Sequence, residues 1–164
     1  MTDRQLDSSD PASRERGGAS SPWPFLDETP PDRFELQRLL VESDPFFQLL
    51  GVTLEAAGQD QATLALSFRP NLVQPTGILH GGLHSILIDS AIAQALLTTI
   101  RPGFTVVTVH LDAKYFAPVR GGRVTATATV VRKGKRIAHG EALVRDEAGA
   151  VVAQGWGVFA VTGL

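Results

Sequence analysis

The 164-residue chain contains no cysteine. Disulfides, zinc–thiolate sites, iron–sulfur clusters and thiol nucleophiles are therefore excluded, and nothing in the chain requires an oxidising compartment, which favours the cytoplasm. An excess of charge of one sign is also missing. Fifteen Lys and Arg face seventeen Asp and Glu, for a formal net charge of −2. Duplex nucleic acid would demand a basic footprint that this balance does not provide. Residues 1–24 hold no apolar run of the roughly 7–15 residues that a signal peptide needs. Neither a Gly-x-Ser-x-Gly nucleophile elbow nor a Gly-x-x-x-x-Gly-Lys phosphate loop occurs. The longest apolar stretch, residues 77–100, could span a bilayer, but Asp89 lies near its middle. A central Asp opposes insertion by about 2.5–3.5 kcal/mol, so a buried helix of a soluble protein is expected, with no membrane partner.

What is present points to one globular domain behind a tail. Hydrophobic residues make up 43% and charged residues 20%, within the ordinary globular range. Residues 1–30 are rich in Ser, Pro and Gly and carry three basic and six acidic residues, a net charge of −3 that leaves +1 on the rest. This composition buries too little apolar surface to offset ordering entropy and predicts a disordered tail; Trp23 and Phe25 are its two candidates for docking. From Asp32 onward, Phe34, Leu36, Leu39 and Leu40 recur at helical spacing with Asp32 as N-cap. Asp44-Pro45 opens a second short helix that stops at Gly51. Two strands, 52–57 and 61–68, flank the turn Gly58-Gln59-Asp60. A loop over 69–79 leads to a long helix over 81–99, apolar on nearly every face and so expected to be enclosed. Four strands follow, over 105–118, 123–132, 136–146 and 151–161, with Val107, Val109, Leu111 and Ala113 alternating with polar residues in the first. Antiparallel strands of this kind must bury one face. The expected fold is α+β, an antiparallel sheet wrapped around a long central helix, spanning residues 31–164.

The chemistry-bearing residues concentrate around that helix. Gly81-Gly82 at its start allows close backbone approach, and the first N–H groups of a helix are unpaired donors at the positive end of the dipole, suited to an oxyanion. The same pair also reads as a tight turn that merely starts the helix. Asp89, a carboxylate amid apolar residues, is either satisfied by neighbours such as Ser85 and Ser90 or kept for proton handling with a raised pKa. His80 and Asp89 are nine positions apart and point to opposite sides of the helix at about 100° per residue. If both act on one substrate atom, two copies of the chain must combine. His80 and His84 are four apart, a spacing that suits two metal ligands, but no Glu follows the first His and no third ligand is near, so no metal is expected. A packed, hydrogen-bonded loop histidine is the alternative for His80. Arg132, Lys133, Lys135 and Arg136 crowd one turn, either as a solvated hairpin tip or as a clamp for the phosphates of a nucleotide-bearing ligand.

These residues resemble a family. His80-Gly81-Gly82 followed by Asp89, Thr108 in the next strand, Tyr115-Phe116-Ala117-Pro118 at its end, the Gly134-Lys135-Arg136 turn and the closing 146–155 run are similar to the hot-dog-fold acyl-CoA thioesterases of the phenylacetate-degradation (PaaI) type, over residues 46–161. The resemblance implies hydrolysis of acyl-CoA without a cofactor. It implies that Gln74 holds the thioester region, that the Gly81 N–H polarises the thioester carbonyl, and that His80 supports that loop. Asp89 would be the nucleophile or general base and Thr108 would position water. Some relatives carry Ser or Thr where this chain has Ala93, which leaves Thr108 as the hydroxyl candidate. It further implies a homodimer as the minimal active unit, within a homotetramer. A hot-dog enoyl-CoA hydratase and a non-catalytic acyl-CoA-binding module are the alternatives. The hydratase class has a different Asp/His pattern, and pure binding needs no buried acid.

Overall fold

The computed structural model describes residues 32–163; the expectation for the tail, including Trp23 and Phe25, lies outside them. Helix α1 (Arg33–Ser43) starts where Asp32 accepts the Glu35 N–H at 2.8 Å. Helix α2 (Pro45–Leu50) starts on the Asp44 carboxylate, with Pro45 in a first-turn position that needs no N–H, and ends on Gly51 at φ 73°. Strands β1 (Val52–Gly58) and β2 (Gln61–Ser67) meet at a two-residue turn. Gln59 and Asp60 both adopt positive φ there, the geometry that matches strand twist. After a short 3₁₀ turn at Pro70–Leu72, helix α3 (Gly81–Leu97) runs for about 25 Å. It is followed by β3 (Phe104–Tyr115), β4 (Arg123–Lys133), β5 (Ile137–Arg145) and β6 (Val151–Gly163).

The strands form one six-stranded sheet in the order β1-β2-β4-β5-β6-β3, with every pair antiparallel. Helix α3 packs across one face of it. It buries Leu83, Leu87, Ile88, Ala91, Ile92, Ala95 and Leu96 against Leu64, Leu66, Val124, Val144, Val152 and Phe159. The close approach depends on strand glycines. A Cβ at Gly140 would sit 2.5 Å from Ile92, and one at Gly155 would sit 2.6 Å from Ile88.

Two expectations change. The sheet encloses only one side of α3, because a single layer wraps half a cylinder. Ser85, Ile86, Asp89, Ser90 and Ala93 remain half-buried. The simple alternation in β3 also breaks. Its pairing with β6 shifts between Thr108 and His110, a bulge that reverses which face the following residues occupy. Phe104, Val106, Leu111 and Ala113 pack on the core, while Val107 and Val109 are 53% and 61% exposed. The strand stops at Tyr115, short of the expected Pro118, because the N–H groups of Phe116 and Ala117 both turn to Val152 O.

Candidate active site

The loop before α3 is tightly pinned. The Gln74 N–H donates to Ile78 O and the Gly77 N–H returns to Gln74 O, both at 2.9 Å, with Gly77 at φ 76°. The His80 N–H donates to Leu72 O, and the Leu79 N–H donates to Val119 O. The loop delivers Gln74 and Gly81 to one cleft of about 300 Å³, with Ile78, His84, Tyr115 and Phe116 among its walls. The Gln74 amide donates to the Thr76 hydroxyl at 2.9 Å. His80 caps α3. Its Nδ1 accepts the Gly82 N–H at 3.1 Å, while Gly81, the first helical residue, has no intrahelical acceptor for its own N–H. The His80 ring lines a different cleft, with Asn71, Leu72, Val73 and Leu83. His80 and His84 therefore face separate clefts.

Asp89 forms a second centre. On the half-buried row of α3, its Oδ1 accepts the Thr108 hydroxyl at 2.8 Å. Burial pushes the Asp89 carboxyl above the usual range, and the Thr108 hydrogen bond opposes this only in part. Ser85 lies one turn earlier on the same row, and its hydroxyl is 2.5 Å from the Tyr115 hydroxyl. Two polar cross-links thus tie α3 to β3. The structure brings Gln74 to Gly81 and Asp89 to Thr108, but it does not bring the two pairs together: Asp89 lies eight positions, about 12 Å of helix, beyond Gly81.

The cationic turn lies beyond the other end of α3. Lys133 and Lys135 line a cleft of about 840 Å³ together with Arg33 and Arg101. Arg132 and Arg136, expected beside them, are exposed and outside that lining. Arg33 donates to Thr98 O at 3.2 Å, Lys133 donates to Thr99 O, and Arg101 stacks 4.2 Å over the Phe104 ring. Arg33 and Arg101 were not singled out from sequence. They come from separate parts of the chain, and the Arg33 hydrogen bond to Thr98 O brings the start of α1 to the end of α3.

Sequence comparison matches residues 76–153 to the thioesterase superfamily. A human relative, acyl-coenzyme A thioesterase 13, is 30% identical over 124 residues, 74% of this chain and 88% of that protein. The chain belongs to the thioesterase superfamily. A Haemophilus influenzae protein that carries an esterase name is 35% identical over 100 residues, 60% of this chain and 71% of that one. The 1,4-dihydroxy-2-naphthoyl-CoA hydrolase of Listeria monocytogenes is 28% identical over 100 residues, 61% of this chain and 81% of its own. The crystal structure of a Haemophilus influenzae thioesterase superposes with a TM-score of 0.75 at 28% identity, covering 81% of this chain and 92% of that one. The hot-dog fold and the thioesterase class expected from the sequence are thus borne out. Among the described residues, no helix is long and apolar enough to cross a membrane.

Proposed function

We propose that this thioesterase hydrolyses acyl-CoA, using sites shared between two copies of the chain. The observation that carries this reading is the separation of two prepared half-sites on one helix: a backbone donor with Gln74 at the start of α3, and a carboxylate with Thr108 about 12 Å further along. A two-fold axis across the half-buried row of α3 would set the partner subunit's Asp89 beside Gly81. The β3 edge supports such an axis. Among the described residues β3 pairs only with β6, and this long edge exposes Val107 and Val109 among polar residues, which suits pairing with a second copy.

In this reading the thioester carbonyl oxygen receives the Gly81 N–H, strengthened by the helix dipole. A donor placed for the developing oxyanion contributes about 3–4 kcal/mol in comparable sites. Gln74 steadies the thioester beside it, and His80 holds the helix start in shape. The ionised Asp89 either attacks the carbonyl carbon or takes a proton from the attacking water, with Thr108 orienting it. The C–S bond breaks, the acyl carbon gains the oxygen of water, and the sulfur leaves as the CoA thiol. Lys133, Lys135, Arg33 and Arg101 offer the phosphates a cationic cleft. CoA as the carrier is also supported by the names of the human and Listeria relatives. Two dimers joined into a tetramer and a cytoplasmic location complete the reading.

The test is thiol release by purified protein from aryl-, short-chain and long-chain acyl-CoAs, with hydration of a crotonyl thioester followed in parallel. Free CoA thiol from at least one class, without hydration, is the expected result. Binding without turnover across the panel, or hydration, would overturn the reading.

A further inference from the structure

Ser85 and Tyr115 are tied to each other at a place that the roles assigned so far leave unused. Gly81, Ser85 and Asp89 follow one another at four-residue steps along α3 and share a face of the helix. Ser85 was a candidate partner for Asp89. The carboxylate takes the Thr108 hydroxyl instead, and the Ser85 hydroxyl pairs with that of Tyr115 at 2.5 Å.

Tyr115 is the last residue of the edge strand β3 and is 53% exposed, so burial does not account for where its ring lies. Its neighbours do. The ring lines the same cleft as Gln74 and Gly81. It meets the His84 ring edge-on, with centroids 6.0 Å apart. One ring carbon lies 3.8 Å from the point that a Cβ on Gly81 would occupy. An aromatic ring therefore stands in van der Waals range of the residue whose N–H is the oxyanion donor of the reading above. Pinning a half-exposed side chain at a strand end costs rotamer freedom, and the bond to Ser85 offsets that cost. A backbone donor polarises a carbonyl most where water is kept from both partners, because water screens the charge and competes for the N–H.

We propose that Tyr115, held by Ser85, is a positioning residue for hydrolysis: its ring walls the thioester carbonyl against the Gly81 N–H and keeps water from that hydrogen bond. The inference rests on the acyl-CoA reading and adds two residues to it. With the ring swung into solvent the thioester still binds, because Gln74 and the cationic cleft are untouched. The loss falls on the transition state, in which the carbonyl oxygen carries charge.

The experiment measures kcat and KM on the best acyl-CoA for wild type, Tyr115→Phe, Ser85→Ala, their double variant, Ser85→Thr and Tyr115→Ala. Tyr115→Phe and Ser85→Ala remove the same bond from its two ends. Each should lower kcat by about threefold to tenfold, the range set by one hydrogen bond of ordinary net strength, with KM unchanged. The double variant should be no slower than the slower single, since the two residues act as one unit. Ser85→Thr keeps the hydroxyl and should keep most of the rate, while Tyr115→Ala should be slower than Tyr115→Phe. Unchanged kcat in both Tyr115→Phe and Ser85→Ala overturns the inference and leaves acyl-CoA hydrolysis standing. So does a raised KM at constant kcat, a double variant in which the two losses multiply, or a lowered Tm with the kcat of the folded enzyme intact. Failure of wild type to release thiol from any acyl-CoA overturns the underlying reading, and the inference falls with it.

Discussion

Thr108 donates its hydroxyl hydrogen to Asp89 across 2.8 Å, joining the middle of α3 to the bulged stretch of the edge strand β3. The bond favours the charged carboxylate, while burial favours the neutral acid and prevails. The pair therefore holds an acid poised nearer neutrality than a surface Asp, with a hydroxyl already aligned on it.

Replacement of Asp89 by Asn keeps the shape and removes the proposed base or nucleophile. Turnover is expected to fall at least about a hundredfold, in line with general-base contributions of roughly 10²–10⁴. Steady-state kinetics on the best acyl-CoA, with circular dichroism to verify the fold, checks this. Near-wild-type turnover would remove Asp89 from the mechanism.

The raised pKa also has a signed consequence for pH. In the proposed mechanism the carboxylate is the active form, so kcat/KM should fall on the acid side at a pH above the usual Asp value of about 3.9. Thr108→Val removes the hydrogen bond that favours the charge, and the acid limb should move further up. Stability runs the other way. The folded state holds this proton more tightly than the unfolded chain does, so the contribution of Asp89 is most favourable at low pH and is lost as pH rises from about 3.9 through the raised value. Asp89→Asn should remove that decline, which denaturant midpoints measured across the acid range would show. A limb unmoved by Thr108→Val would contradict the coupling.

The cationic cleft separates two pairs of residues that look equivalent in the sequence. Lys135→Ala should raise KM for acyl-CoA by roughly two- to fivefold with kcat unchanged, as expected for a screened surface contact. Arg136→Ala, outside the cleft lining, should do less. Equal effects from both would return the whole turn to a solvated hairpin tip.

The sheet glycines are tested by Gly155→Ala. The new methyl would meet Ile88 and Asp112 O, each 2.6 Å away, and Asp112 O is backbone that cannot rotate aside. A loss of about 1–3 kcal/mol is expected from overpacking, read as a shift in denaturant midpoint at constant m-value. No shift would mean that helix and sheet are more loosely packed than this.

The parts of this molecule legible in sequence were those governed by local chemistry. Asp32 and Asp44 announced their helices because a carboxylate beside unpaired N–H groups is a local signal. His80-Gly81-Gly82 and Asp89 were visible because glycines and a lone acid interrupt an apolar run. The bulge at Val109 was not visible, since nothing in a Val-rich strand marks where a ladder shifts. The half-buried row of α3 was hidden for a related reason. Ile86 and Ala93 are apolar whether they meet this chain's sheet or a second copy. The spacing of His80 and His84 alone suited two metal ligands, the missing third ligand argued against a metal, and only the packing shows that the two face different clefts.

The shared site is the central claim, and subunit complementation tests it most directly. Asp89→Asn chains and Gln74→Ala chains, each inactive alone, are unfolded, mixed and refolded, and the hybrids are isolated by differential tagging. Each hybrid dimer would hold one site with both defects and one with neither. The shared-site account expects purified hybrids to regain close to half of wild-type turnover per dimer. Verified hybrids that stay inactive, while wild type recovers fully under the same protocol, would contradict it.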